Sequence, residues 1–363
     1  MALRAGDWVE VRSKEEILQT LDKNGRLENM PFTPQMFQYC GQKFEVYKRA
    51  HKSCDTVNTD PSGRRLPNAV HLEMRCDGKA YGGCQTACPL LWKEAWLKPA
   101  GDAAQGARST EVGSQSKPAG ATVCSEEIVQ NATWAPDPGS ADGKRYFCQA
   151  TEMLTYSTFL PWWDLKQYVE DYTSRNSTLS RLFKGFVYGN YHVLARKHKF
   201  GFGTPFRWLY DTFQGLIGGV PYPDRRGPIP DDQPTPLATL NLQPGELVRV
   251  KSYKEILATL NTKLKNRGMV FDADQVPYCG RVYRVKASVE RFLNEKTGRI
   301  MSLKTPAVIL EGVWCQACYS RLRLGCPRAL HSWWREIWLE RVPAGTPVDG
   351  RRFDTRRVSK NDS

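Results

Sequence analysis

The sequence predicts a mainly β fold with helical insertions (α+β): two related SH3-like or irregular β-rich modules joined by a loop and a basic helical segment. Three observations predict it: an internal repeat, short alternating apolar–polar runs within each copy, and a capping box after the first such run. The repeat comes first, because self-similarity at a fixed offset decides how the rest of a chain is read. Gly6-Asp7-Trp8-Val9-Glu10-Val11 recurs as Gly245-Glu246-Leu247-Val248-Arg249-Val250, and Tyr39-Cys40-Gly41 as Tyr278-Cys279-Gly280. Ala69-Val70-His71-Leu72-Glu73 recurs as Ala307-Val308-Ile309-Leu310-Glu311. The copy closes with Trp92-Lys93-Glu94-Ala95-Trp96-Leu97 against Trp334-Arg335-Glu336-Ile337-Trp338-Leu339.

Within the first copy, Trp8-Val9-Glu10-Val11 and Phe44-Glu45-Val46-Tyr47 alternate with the period of a half-buried strand, and Val70-His71-Leu72 and Trp96-Leu97 add two more. Between the first two, Ser13 followed by Glu16 forms a capping box, and Ile17, Leu18 and Leu21 make a helical stripe. The Gly-, Ala-, Ser- and Pro-rich composition after residue 100 reads as loop. From Trp162 to about Lys199 the pattern turns helical and basic, with Phe183, Val187, Tyr191 and Leu194 on one stripe. Glycines at 201, 203, 215, 218 and 219 then interrupt it. The division that follows is 1–100 for the first Cys-containing β-rich repeat and 101–160 for a linker with Cys124 and Cys148. Next come 161–226 for the basic aromatic helical segment and 227–242 for a Pro-rich linker. The second Cys-containing repeat is 243–343, and 344–363 is a basic tail.

The chain has 363 residues, eleven cysteines and a net charge of +14. No run reaches the ~18 uninterrupted apolar residues of a membrane-spanning helix, and the N-terminus has no secretory pattern. The expected location is therefore cytoplasmic, peripheral at the inner membrane surface in one reading. In that compartment eleven thiols are expected to be metal-held, buried or reactive rather than paired as disulfides. In the second copy Cys279, Cys315-Gln316-Ala317-Cys318 and Cys326 have the donor type for a four-thiolate zinc site. In the first, Cys40, Cys76 and Cys84 hold the matching positions and Cys88 replaces the fourth. The alternatives for the three register-matched cysteines are burial, where cysteine acts as a small hydrophobe, and redox or catalytic use of the thiols. Cys54 with His51, among Lys48, Arg49 and Lys52, is the candidate for thiol-dependent catalysis, because neighbouring cations favour a thiolate. His71 and His331 read as packed histidines.

Residues 161–230 carry ten Lys and Arg against five Asp and Glu. A basic helix with an aromatic stripe suits docking on the repeats, an anionic protein partner or a membrane surface. Nucleic acid is a further alternative from the overall charge. However, the excess is spread, at +3 over residues 1–100 and +8 over 243–340, and no RNP-, KH- or helix-turn-helix pattern is present. P-loop, GxGxxG, HExxH and GxSxG motifs are absent as well. The sequence expectation is thus a non-catalytic zinc-binding accessory protein, with a Cys54/His51 enzyme as the alternative.

Lys48-Arg49-Ala50-His51-Lys52-Ser53-Cys54-Asp55, Arg75-Cys76-Asp77-Gly78, Leu310-Glu311-Gly312-Val313 and Cys326-Pro327-Arg328, together with the Tyr-Cys-Gly and Trp-rich strings above, resemble an uncharacterised family of bacterial cysteine-rich proteins with two related repeats. The resemblance implies a bacterial, cytoplasmic, full-length two-copy protein. It carries over no fold, activity or ligand.

Overall fold

The computed structural model describes residues 2–58, 63–100, 124–196, 203–216, 221–223, 225–319 and 323–349. The chain is strand-rich and divides into two compact units, 1–178 with 291–302, and 179–290 with 303–363. Most of the predicted tail, and the first part of the predicted 101–160 linker, lie outside the described residues.

In the first unit, strand Trp8–Val11 pairs antiparallel with Lys43–Glu45 on one side and Leu97–Pro99 on the other. Its alternation is realised: Val9 and Val11 are buried while Trp8 faces out. A second sheet sets Ala69–Arg75 between Lys48–Arg49 and Pro89–Lys93. Helix α1 (Lys14–Thr20) begins at the predicted capping box, with Ser13 Oγ accepting from Glu16 N at 3.2 Å and Glu16 Oε2 accepting from Ser13 N at 2.9 Å. One face of α1 delivers Ile17 to a core that holds Phe32, Trp92 and Trp96. Trp96 stands edge-on to Phe32 with centroids 5.1 Å apart, and its indole Nε1 donates to Thr20 Oγ1 at 3.1 Å.

The segment read as linker is not one where it is described. Helix α2 (Glu126–Asn131) and the hairpin of Trp134–Pro136 with Lys144–Tyr146 are folded parts of the first unit. Cys124, Val129, Met153 and Tyr156 join its core. Gln149 acts as a substitute strand partner there, accepting from Leu91 N and donating to Leu91 O, each at 2.8 Å. Elements this short, set among glycines and prolines, leave no readable periodicity. Helix α3 (Lys166–Thr173) also belongs to this unit, so the predicted 161–226 segment is divided between the two.

In the second unit, helices α4 (Leu179–Arg196) and α5 (Gly203–Leu216) pack on each other. A five-stranded sheet follows, in the order His331–Trp334, Ile300–Trp314, Val282–Leu293, Leu247–Val250, Leu339–Arg341. A one-turn 3-10 helix, Glu336–Trp338, leads into the closing strand. Helix α6 (Tyr253–Leu257) repeats the capping box with Ser252 and Glu255.

The corresponding contacts recur in detail. Trp338 Nε1 donates to Thr259 Oγ1 at 3.0 Å, and Trp338 meets Phe271 edge-on at 5.2 Å. The Glu94 carboxylate accepts from Leu3 N at 3.3 Å, and Glu336 accepts from Leu242 N at 2.9 Å. Buried Lys93 donates to Pro67 O and buried Arg335 to Pro306 O, both at 3.2 Å. A buried cation followed by an acid that pins the incoming chain thus recurs at the same place in each unit.

Candidate functional site

The predicted cysteine ligands of the first copy lie in the first unit and those of the second copy in the second. Cys40 and Cys279 occupy equivalent C-caps of 3-10 helices, Pro34–Tyr39 and Ala273–Tyr278. Each packs against the core of its own unit, and burial pushes both thiols up, Cys279 to about 12. Such thiols stay neutral. Among the described residues no group of three or more His, Cys, Asp or Glu side chains is arranged to hold a metal ion. The four-thiolate sets Cys40/Cys76/Cys84/Cys88 and Cys279/Cys315/Cys318/Cys326 are not among such groups, and zinc at either stands as an expectation from the sequence.

In the first unit the thiols that do gather are Cys76, Cys84 and Cys148, all packed against Tyr81, Tyr146, Leu293 and Ile300. Burial pushes Cys76 to about 12 and Cys148 to about 11, and each also feels the Cys84 sulfur. Backbone N–H groups oppose the shift, from Gly78 on Cys76 and from Thr151 and Ala150 on Cys148. Leu293 N donates to Cys84 Sγ at 3.3 Å. Gly78 is required in this loop: its φ is +70°, and a Cβ there would stand 1.9 Å from Cys84 O. Cys88 contributes through its backbone, its carbonyl accepting from Cys76 N at 2.8 Å. Cys148, assigned by sequence to a linker, is the member that spacing did not reveal.

In the second unit the Cys315–Cys318 turn closes around Asp274. The buried carboxylate accepts from Cys318 N at 3.0 Å and Tyr319 N at 3.3 Å through Oδ1, and from the Cys315 thiol at 3.5 Å through Oδ2. Arg181, from the first turn of α4, reaches the same turn: it donates to Gln316 O at 2.9 Å and to Cys318 Sγ at 3.2 Å. Ala317, between the cysteines, has φ +50°, which opens the turn so that amides face the carboxylate. Cys326 is buried, its N–H bonded to Arg323 O at 3.0 Å, and the preceding Gly325 N donates to Ala317 O at 3.1 Å, so this stretch rests against the same turn. Gln35 does Asp274's work in the first unit, taking Asp77 N and giving to Arg75 O, each at 2.8 Å.

Burial, with Asp272 adding to it, pushes Asp274 up to about 6. A carboxyl whose folded pKa lies above its unfolded value of about 4 favours folding only while protonated. That contribution is complete below about pH 4 and lost as pH rises through about 6, for a change on the order of 2–3 kcal/mol. Asp274→Asn is expected to remove this pH dependence. Urea unfolding of both proteins at pH 5 and pH 8 measures it, and parallel pH profiles would count against the assignment.

The Cys54/His51 pair is not brought together as thiol and base. Strand Lys52–Cys54 packs beneath α3, and His51 Nε2 faces Asp171 Oδ1 at 3.2 Å and Gln167 O at 3.3 Å, while its Nδ1 has no hydrogen bond. Lys52 Nζ lies 2.5 Å from Asp171 Oδ2, with Asp171 fully buried. The imidazole and ammonium therefore serve to hold α3 down. His71 and His331 are buried, with Nδ1 near the carbonyls of Leu90 and Val313.

The helical hairpin departs most from a buried arrangement. The buried face of α4 is Gly185, Tyr188 and Gly189, with Tyr191 half-buried against Phe206 and Tyr210; Phe183 and Val187 of the stripe read from sequence are exposed, and the Leu194 side chain lies outside the described residues. Gly185 lies so close to Leu324 that a Cβ would come within 2.3 Å of its Cδ1. Tyr188 packs with Tyr210, Tyr222 and Tyr319. Phe183, Phe186 and Val187 point outward. The stretch after Gly201 that seemed broken is α5, because Gly203 and Gly215 sit at its ends. Trp208, Leu209, Phe213 and Leu216 recur at helical spacing and are 67%, 55%, 57% and 82% exposed, while Tyr210, Asp211 and Gln214 turn inward. Asp211 fastens this polar inner face by accepting from Tyr222 N at 2.7 Å and pairing with Arg225. Over residues 179–216 six Lys and Arg oppose one Asp. Among the described residues no helix is long and apolar enough to cross a membrane.

The chain matches no known protein-family model and no curated protein.

Proposed function

We propose that this is an accessory protein of the membrane surface, in which the α4–α5 hairpin lies on an anionic bilayer and the β-rich units are SH3-like modules. The exposed apolar stripe of α5 carries the reading. Trp208, Leu209, Phe213 and Leu216 face solvent, which costs solubility unless that face has a partner. The local excess of basic residues and the aromatic content select an anionic interface among such partners. Helices that carry apolar side chains outward yet cannot span would seat at headgroup depth. The strand meander closed by a 3-10 helix and a strand paired back to the first supports the SH3-like reading of the modules.

Flotation of the full chain with lipid vesicles tests this. Binding to vesicles containing phosphatidylglycerol, weak binding to phosphatidylcholine alone, and release by added salt are expected. Retention on nucleic acid without retention on either vesicle would replace this reading with the nucleic-acid one.

A further inference from the structure

The Cys315–Cys318 turn has a chemistry that the bilayer reading does not use. Two thiols three residues apart share one turn, each with a charged partner of opposite sign. The Arg181 guanidinium is 3.2 Å from Cys318 Sγ, and the Asp274 carboxylate is 3.5 Å from Cys315 Sγ. A cation at hydrogen-bond distance favours a thiolate, and a thiolate is the form that attacks a disulfide. An S–H held by a carboxylate stays protonated and waits. Both cysteines are half-buried rather than sealed in the core. The turn is held from beneath, since Asp274 also takes the Cys318 and Tyr319 amides. The first unit has Lys79 at the position matching Cys318, so this pairing belongs to the second unit alone.

We propose that Cys315 and Cys318 form a redox-active dithiol that reduces disulfides, with Cys318 as the attacking sulfur, Cys315 as the resolving one, and Arg181 and Asp274 as positioning residues. The Cys318 thiolate attacks one sulfur of the substrate disulfide. A mixed disulfide forms and the first substrate sulfur leaves as a thiolate. Cys315 then attacks the Cys318 sulfur, its proton passing to the departing second substrate sulfur. The substrate disulfide is reduced by two electrons to a dithiol once its first thiolate takes a proton from water, and Cys315–Cys318 is oxidised to a disulfide. The substrate class is a disulfide that can approach a half-exposed turn, and oxidised glutathione serves as the probe.

The full chain is incubated with oxidised glutathione, alkylated and mapped by mass spectrometry. The expected product is a Cys315–Cys318 disulfide in the wild type and glutathione captured at Cys318 in Cys315→Ser. The pH profile of Cys318 alkylation is expected to rise below the ordinary thiol range. Arg181→Gln should shift it upward by about one unit, slowing the reaction about tenfold at neutral pH, and Arg181→Lys should restore part of the loss. Three results would overturn the proposal: no internal disulfide in the wild type, glutathione captured elsewhere, or thiols that react only after a chelator has removed a metal. None of them bears on vesicle binding.

Discussion

Replacing Asp171 with alanine is expected to destabilise the first unit by about 3–5 kcal/mol, the cost of leaving a buried cation without its counter-charge. Lys52 and Asp171 are both almost wholly withdrawn from water, at 4% and 0% side-chain exposure, and stand 2.5 Å apart. His51 loses its carboxylate at the same time. The pair need not add much net stability where it stands, since desolvation offsets most of the attraction. Breaking it is a different matter, because the buried ammonium, beside the Gln167 amide oxygen at 3.3 Å and the Tyr168 ring at 5.0 Å, loses the carboxylate it touches. The joint replacement Lys52→Met with Asp171→Leu should therefore recover most of the loss. Urea unfolding gives the magnitude, and hydrogen exchange resolved by peptide shows whether the opening is confined to the Lys52–Cys54 strand and α3. A single Asp171→Ala variant as stable as the wild type would show that the pair is not buried.

Trp338→Ala should cost the second unit a similar amount, about 3–5 kcal/mol, whereas Trp208→Ala should change stability by less than about 0.5 kcal/mol. The two residues have the same chemistry and opposite surroundings. Trp338 is fully buried against Phe271 and Trp334, and its N–H is matched by Thr259. Trp208 is 67% exposed. Alanine at 338 leaves a cavity that its own 3-10 helix, Glu336–Trp338, cannot fill without parting from the strand it introduces. Thermal or urea unfolding of both variants separates these cases. A large loss at 208 would mean that α5's outer face is packed in solution, against the whole functional reading.

Much of the modules was legible because their signals are local. A capping box needs only Ser13 and Glu16, or Ser252 and Glu255, and strand alternation needs only four residues in a row. The Trp-x-x-x-Trp strings read as core and are core, with Trp92, Trp96, Trp334 and Trp338 all fully buried. What stayed hidden depends on long-range partners. Gln149, Met153 and Tyr156 enter the first core from a segment with no apolar run of its own. Cys76, Cys84 and Cys148 come together across sequence distances that spacing rules do not address, while Cys40 and Cys279, in register with the rest, point into their cores. The orientation of α5 was hidden for another reason. Apolar spacing shows that a helix has a stripe, and only packing shows whether that stripe is covered. The inward bonds of Asp211 decide it.

The hairpin's role is tested most directly by vesicle flotation of Trp208→Asp with Phe213→Asp beside the control Val270→Asp, all in the full chain. These three positions are exposed, so none of the changes should unfold the protein. Withdrawing two aromatic side chains from a bilayer at about 1.5 kcal/mol each, and adding two negative charges, is expected to weaken binding to phosphatidylglycerol-containing vesicles by at least on the order of a hundredfold. The control should float like the wild type. A double variant that still floats with wild-type affinity would contradict the account.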